Sequence, residues 1–317
     1  MKKTVNTLLL GSVLALSSTA VLAEKITIVV PYPPGGAADQ LARVIAQGLT
    51  EQKGHQVLVE NRPGAGAQIA MNQLQRVRKD DDIVLILSDH SAFTLNQKLY
   101  KNLNYDIKND IKPVTLVAEA PIFLFSKTEG PLNTAESFLA AANSQNLRYG
   151  VPGIGTGTHL TAEMLNLEVD GNLTVVPYRG AAPALVDLVG GQLDFMFDVS
   201  AGSTAFVENN QLTVLAVADQ VRSDLKPDVP TLKELGVNDV DFRIWWGLGA
   251  QSKLKDELIN QVQADVSEVL NNQKVIDDFR KSGILVQTTT PLEMESLING
   301  EISTVGPLID ELGLSIQ

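Results

Sequence analysis

Two hydrophobic rhythms alternate along the chain. Short unbroken apolar runs mark strands buried on both faces, and stretches with apolar residues every three or four positions mark helices with one buried face. Residues 25–30 form the first run, and residues 39–50 then place Leu41, Val44, Ile45 and Leu49 on one helical face. Residues 56–60 read as the next strand, and the turn Asn61-Arg62-Pro63-Gly64-Ala65-Gly66 leads into a helix over 67–77. Residues 83–87 form a buried strand with Ser88 at its carboxyl end. This βαβαβ order predicts a parallel sheet with right-handed crossovers.

Pro121 separates the runs 114–118 and 122–125, which are expected to carry the chain between domains. A second series follows: helix 134–142, strand 147–151, helix 158–167, strand 173–176, helix 183–189 and strands 195–199 and 212–218. Residues 244–250 are expected to return to the first domain. Helices over 254–270, 275–282 and 292–312 close the chain, the last interrupted near Gly306-Pro307. The expectation is an α/β protein of two domains joined by a hinge, residues 24–118 plus 243–317 forming one and 119–242 the other.

Open parallel sheets bind ligands beyond the carboxyl ends of their strands. The loops at 31–39, 61–68, 88–91, 152–159, 177–181 and 198–202 all occupy such ends, and facing sheets would gather them into one cleft. Two of these loops are rich in glycine. The first runs Pro31-Tyr32-Pro33-Pro34-Gly35-Gly36-Ala37-Ala38-Asp39, and the second Pro152-Gly153-Ile154-Gly155-Thr156-Gly157-Thr158-His159. Glycine lets the backbone turn sharply and approach a ligand, and the unpaired amides of the following helix favour an anion. The plainer reading is a tight turn, with Asp39 as helix cap. Thr156 and Thr158 add hydroxyls to the second loop.

Other candidates gather at the same ends. Tyr32 would form an apolar wall, Ser88 a hydroxyl donor, and Ala67 and Gln68 the end of the 61–68 loop. Arg179, before Gly180 and Ala181, either pairs a carboxylate or makes a rim salt bridge. Asp198 either accepts from a ligand amine or hydroxyl, or caps the helix beginning near Ser200. Trp245-Trp246 reads as core or hinge packing.

Composition narrows the functional classes. The start Met1-Lys2-Lys3, the apolar stretch over 8–16 and Val21-Leu22-Ala23 form a secretory signal peptide, with cleavage expected after Ala23 and a periplasmic destination. The absence of cysteine excludes disulfides, thiol chemistry and a lipoprotein anchor. Net charge is −12, and dropping Lys2 and Lys3 from the 25 basic residues leaves −14, which argues against nucleic acid as a partner. Local amides still bind carboxylates, because remote charge is screened beyond about 8–10 Å.

Catalytic and cofactor signatures fail. The second loop is spaced G-x-G-x-G, and the next strand ends in Val176-Pro177-Tyr178-Arg179 where a nicotinamide fold would carry an acid. No Gly-Lys-Ser/Thr or G-x-S-x-G occurs, and His55, His90 and His159 have no metal-ligand spacing. Ser88-Asp89-His90, being adjacent, cannot converge as a triad. No catalytic residue, metal or cofactor is expected.

The chain resembles the Bug family of substrate-binding proteins of tripartite tricarboxylate transporters. The residues that carry the resemblance are Pro33-Pro34-Gly35-Gly36 with Asp39, Glu60-Asn61-Arg62-Pro63-Gly64-Ala65-Gly66, Gly155-Thr156-Gly157-Thr158-His159, Val176-Pro177-Tyr178-Arg179-Gly180, Gly190-Gly191-Gln192-Leu193-Asp194 and Pro227-Asp228-Val229-Pro230-Thr231-Leu232, in family order. The resemblance implies a type II periplasmic binding fold that closes on a small carboxylate gripped by loops 33–39 and 154–159, and delivery to membrane permease subunits. Two departures stand out: Lys79-Asp80-Asp81-Asp82-Ile83 replaces the family's usual turn, and Gln68 stands where a glycine is usual. The expected protein is a monomeric receptor for a di- or tricarboxylate or related acid. A sensory receptor for a two-component system and an exported α/β enzyme are the rival readings.

Overall fold

A computed structural model describes residues 25–77 and 82–316. The signal peptide expected over 1–23 and most of the acidic departure at 79–82 lie outside them. The chain opens β1 (Lys25–Val30), α1 (Ala37–Lys53), β2 (Gln56–Asn61), α2 (Gln68–Gln75), β3 (Asp82–Asp89). β1 lies between β2 and β3, parallel to both, as the alternation predicted. Its interior position explains its unbroken apolar character, since Ile28, Val29 and Val30 are all fully buried.

Three one-turn helices that periodicity does not predict come next: α3 (His90–Phe93), α4 (Asn96–Leu99) and α5 (Ile107–Asp110). The chain then enters β4 (Ile111–Lys127), a single strand of 17 residues where two runs flanking Pro121 were expected. Proline lacks a ladder donor and is tolerated in strands only at edges or irregularities. Pro121 sits where β4 changes partners, so the ladder continues past it.

The second series is α6 (Ala135–Ala142), β5 (Arg148–Val151), α7 (Gly157–Glu168), β6 (Thr174–Pro177), α8 (Ala181–Val189), β7 (Phe195–Val199), α9 (Ser200–Glu208), β8 (Leu212–Val217). β9 (Arg243–Gln251) returns antiparallel between β3 and β4. The chain ends in α10 (Asp256–Leu270), α11 (Gln273–Lys281), β10 (Leu285–Val286) and α12 (Pro291–Glu311). The break expected near Gly306-Pro307 is absent: α12 runs through Pro307. Pro307 removes one helical donor, while the turn before it is braced by the hydroxyls of Ser303 and Thr304, which donate to the Gly300 carbonyl.

β4 joins two α/β domains. Its residues from Ile111 to Pro121 pair with β9, and from Ile122 onward it pairs with β7 on one side and β8 on the other. The strand order is β2-β1-β3-β9-β4 in the first domain; in the second, β7-β5-β6 continues from β4. Around the first sheet, α1 and α10 cover one face with Leu41, Ile45, Val262 and Val266, while α2, α3 and the start of α12 cover the other with Met71, Phe93 and Met294. α1 and α10 touch closely, for a Cβ at Gly48 would collide with Val269. The second sheet is covered by α6 and α7 on one face and by α8 and α9 on the other. Leu95 and Leu99 of α3–α4 and Val305 and Ile309 of α12 enter the former core. Among the described residues no helix is long and apolar enough to cross a membrane.

Candidate functional site

The two glycine loops share one internal architecture. In the first, Gly35 adopts φ +99° and donates its amide to Asp39 Oδ2 at 2.9 Å. Arg43, one turn further on, donates Nε to the same oxygen at 2.9 Å, and Asn61 Nδ2 donates to Oδ1 at 2.9 Å. Asp39 is therefore buried but fully partnered. The Arg43 bond, helped by the Gly35 amide and Asn61 against the cost of burial, lowers its pKa to about 2. Helix α1 is capped by Gly36, so Asp39 braces the loop from inside the helix rather than capping it.

In the second loop Gly155 adopts φ +79° and donates its amide to Nδ1 of His159 at 3.0 Å. His159 Nε2 lies 3.4 Å from Glu163 Oε1, and the Tyr149 hydroxyl donates to the same carboxylate. With Nδ1 accepting, the ring carries its proton on Nε2. Burial pushes the Glu163 carboxyl up, but the bonds from His159 and Tyr149 outweigh it and hold the pKa below the usual value. Position for position, Gly35, Asp39 and Arg43 match Gly155, His159 and Glu163. The acid and base change places, and the loop shape is kept.

This bracing leaves particular amides without an intrahelical partner. The Gly35 and Gly155 amides are occupied within their loops. The first helical bonds are Gln40 N to Gly36 O and Leu160 N to Thr156 O, so Ala37, Ala38, Gly157 and Thr158 keep donors that helix geometry leaves unused. The Thr156 hydroxyl caps α7 by donating to Gly153 O at 2.9 Å and accepting from His159 N at 3.4 Å; the buried Thr158 hydroxyl lies 3.3 Å from it. Pro34, Gly35 and Gly36 are exposed, and no atom lies within 4 Å of a Cβ built at either glycine. Ile154, at the tip of the second loop, is 39% exposed.

Tyr32 and Ser88 share a hydrogen bond of 3.1 Å between their hydroxyls. Burial and the nearby Asp89 charge raise the Tyr32 pKa well above its ordinary value, so the phenol stays protonated. The 64–67 segment is left-handed throughout, including Ala65 at φ +48° and Ala67 at φ +70°. Non-glycine residues reach that region at a cost and keep it only where surroundings enforce it. The enforcement is visible: Asn96 Nδ2 donates to Gly66 O at 2.8 Å, and the Tyr100 ring fills the space a Gly66 side chain would need. Gln68 does not face open space alone, since its Oε1 accepts from Asn104 N at 3.2 Å.

At the ends of the second sheet, Gly180 N donates to Pro152 O at 3.1 Å, which sets Arg179, Gly180 and Ala181 beside the second loop. Arg179 is exposed and makes no rim salt bridge among the described residues. Asp198 is 4% exposed, and its Oδ2 has no hydrogen-bond partner there. Burial pushes its carboxyl up to about 7, against the opposing Val199 amide. It is not a helix cap: α9 is capped at Val199 without any side-chain bond.

Sequence reasoning missed one further cluster, which lies within the first domain and supports the second loop. His90 Nδ1 lies 2.7 Å from Glu301 Oε1, Thr94 Oγ1 donates to that oxygen at 2.7 Å, and Trp245 Nε1 donates to Oε2 at 2.5 Å. Burial opposes charge on both partners, yet their mutual attraction prevails: the His90 pKa is raised and that of Glu301 lowered. A Cβ at Gly157 would lie 3.0 Å from His90 Nε2 and 2.9 Å from Phe242, and one at Gly155 would lie 2.8 Å from Leu99. The second loop therefore rests on α3 and α4. No local signal marks a pair 211 residues apart, whereas the i,i+4 spacings Asp39–Arg43 and His159–Glu163 were visible in the sequence. Among the described residues no group of acids and histidines could hold a metal ion.

Comparison with known proteins gives the family. Residues 41–314 match the model for the tripartite tricarboxylate transporter family receptor. Protein BugT of Bordetella pertussis is 26% identical over 297 residues, covering 93% of this chain and 91% of that protein. Among solved structures, R. palustris Rpa4515 with adipate is 26% identical with TM-score 0.81, covering 93% of this chain and all of that one. MatC of Rhodopseudomonas palustris with bound malate is 27% identical with TM-score 0.75, covering 90% and 99%. The family match runs through both domains. The chain belongs to the tripartite tricarboxylate transporter receptor family, a family of periplasmic binding proteins and not of enzymes.

Proposed function

We propose that this receptor closes its two domains on a small organic acid, a di- or tricarboxylate or a related compound, and hands it to the permease subunits of a tripartite transporter. The observation that carries this reading is the matched pair of braced loops. Each presents unused amides at the positive end of a helix, at Ala37 and Ala38 on one side and at Gly157 and Thr158 on the other. Arg179 adds an unpaired guanidinium suited to a carboxylate, and Tyr32 with Ser88 supplies a wall and a hydroxyl. Adipate and malate in related receptors fit the same chemistry. We place the domain boundaries at 118/119 and 242/243. The protein is exported to the periplasm, cut after Ala23, and works there as a monomer. Ligand contacting both domains shifts the population toward the closed form, the shape the permease reads.

The test is thermal melting of the mature protein, stripped of bound ligand by partial unfolding, against a panel of organic acids. A ligand at a hundred times its Kd adds about 2.7 kcal/mol, a rise of several degrees for a chain of this size. No rise with any acid in the panel at millimolar concentration would refute the reading.

A further inference from the structure

We propose that Asp198 reads a hydrogen-bond donor on the ligand, a hydroxyl or an ammonium group, so that the receptor prefers substituted organic acids to plain ones. This rests on the reading of the cleft as an organic-acid site and specifies its substrate class.

The buried acids Asp39, Asp219 and Asp265 each have a cation: Arg43 at 2.9 Å, Arg243 at 2.8 Å and Lys53 at 3.2 Å. Asp198 has none among the described residues. It caps neither neighbouring helix, since α8 starts at Gly180 and α9 at Val199 without side-chain bonds. A buried polar atom without a partner is costly and uncommon, and a ligand that arrives later is one way to supply the partner.

Its position says which partner. Asp198 lies at the carboxyl end of β7, paired with Phe123 of β4. β5 runs parallel on the other side, with Gly150 level with Met196. Two residues further along, Asp198 comes level with Pro152, where the second glycine loop begins and where Gly180 is hydrogen-bonded. Oδ2 lies close to Gly202, where a Cβ would come within 3.3 Å, so a larger residue there would crowd the oxygen. Arg179, the unpaired cation, lies two residues beyond the end of β6, the next strand but one. An unpaired acid and an unpaired base at one end of one sheet match a molecule with both a carboxylate and a donor.

Proton traffic follows. In the ligand-free protein the Asp198 carboxyl holds a proton up to about pH 7. The ionised carboxylate is the stronger acceptor for such a donor, so binding at or just below neutral pH releases a fraction of that proton.

The test is titration calorimetry of the stripped mature protein at pH 7, in phosphate and in Tris, whose ionisation heats differ. The probes are succinate, malate and aspartate, then glutarate, 2-hydroxyglutarate and glutamate; each set differs in one substituent. The expected result is that the hydroxyl or ammonium member of a set binds about tenfold or more tighter than the plain acid, with release of a fraction of a proton. Whichever substituted member wins tells hydroxyl from ammonium. Asp198→Asn should bring the members within about threefold and abolish the proton release. Gly202→Ala, which narrows the space at Oδ2, should weaken the substituted acids and spare the plain one, and it keeps the question answerable should the Asn variant not fold. Equal binding of plain and substituted acids, or a preference that survives Asp198→Asn, would overturn the proposal and leave the carboxylate reading standing. Binding of no acid in either set or in the wider panel would remove that reading and this proposal with it.

Discussion

Asp39 and Asp198 are both buried carboxylates at strand-end loops, and their surroundings push them in opposite directions. Folding lowers the Asp39 pKa from 3.8 to about 2. Its stabilising effect is therefore complete above pH 4 or so and fades as pH falls through about 2. The Arg43 bond is the main cause of the shift, followed by the Gly35 and Asn61 bonds, and solvent at the half-exposed Arg43 reduces what that pair adds to stability. Asp39→Ala should cost about 1–3 kcal/mol in urea unfolding at pH 7, and much less near pH 2. For Asp198 the sign reverses. Folding raises its pKa from 3.8 to about 7, so its cost is absent below pH 4, grows up to pH 7 and is complete above. Asp198→Asn should thus stabilise the ligand-free protein at pH 8, with a ceiling of about 4 kcal/mol, and have little effect at pH 4. At this scale the sequence was partly legible. The residue types and loop glycines could be read directly, but the pairing of Asp39 with Arg43 and of His159 with Glu163 was not read from their i,i+4 spacing. Which of the amides were already engaged could not be read, because that depends on side chains folding back by four residues onto Gly35 and Gly155.

Strands and long helices were legible because burial writes itself into periodicity: β1, β3, α1 and α10 all lie where the apolar pattern put them. The misreadings share a cause. Pro121 and Pro307 look like breaks because proline removes a donor, yet each sits where that loss is absorbed, one at a change of strand partner and the other in a helix held from both sides. α3, α4 and α5 are too short to show a period. Two close contacts make this scale testable. Gly48→Ala would drive a methyl into Val269 and should lower the melting temperature by several degrees, corresponding to about 1–3 kcal/mol, with Val269→Ala restoring part of the loss in the double variant. Gly157→Ala should likewise be destabilising through Phe242 and His90, whatever its effect on ligand, and Phe242→Leu should relieve it. Equal melting of the single and double variants would mean the contacts are not as described.

At the scale of the whole molecule, the domain pattern was legible and the crossing of the boundary was not. Nothing in the local sequence says that Leu95, Leu99, Val305 and Ile309 complete the core on the far side of the hinge. The tail adds to this: Ile316 donates its amide to Leu99 O at 2.7 Å, and Lys101 donates to Ile316 O at 3.4 Å. Ending the chain after Gly300 removes two buried side chains, worth about 2–5 kcal/mol each on truncation, together with Glu301. Such a variant should lose its cooperative melting transition and the near-ultraviolet signal of Trp245. A sharp transition within a few degrees of the full chain would contradict this account.

α12 therefore has a consequence for the order in which the protein comes into being. A chain that emerges from its amino end usually lets each domain fold as soon as it is complete. Here the middle domain lacks part of its interior until the last stretch of α12 arrives from the far end of the polypeptide. Residues 119–242 must wait, incompletely packed, until the whole chain is present, and both domains then settle together. A domain built this way gains its last core side chains only when the final helix of the chain is present.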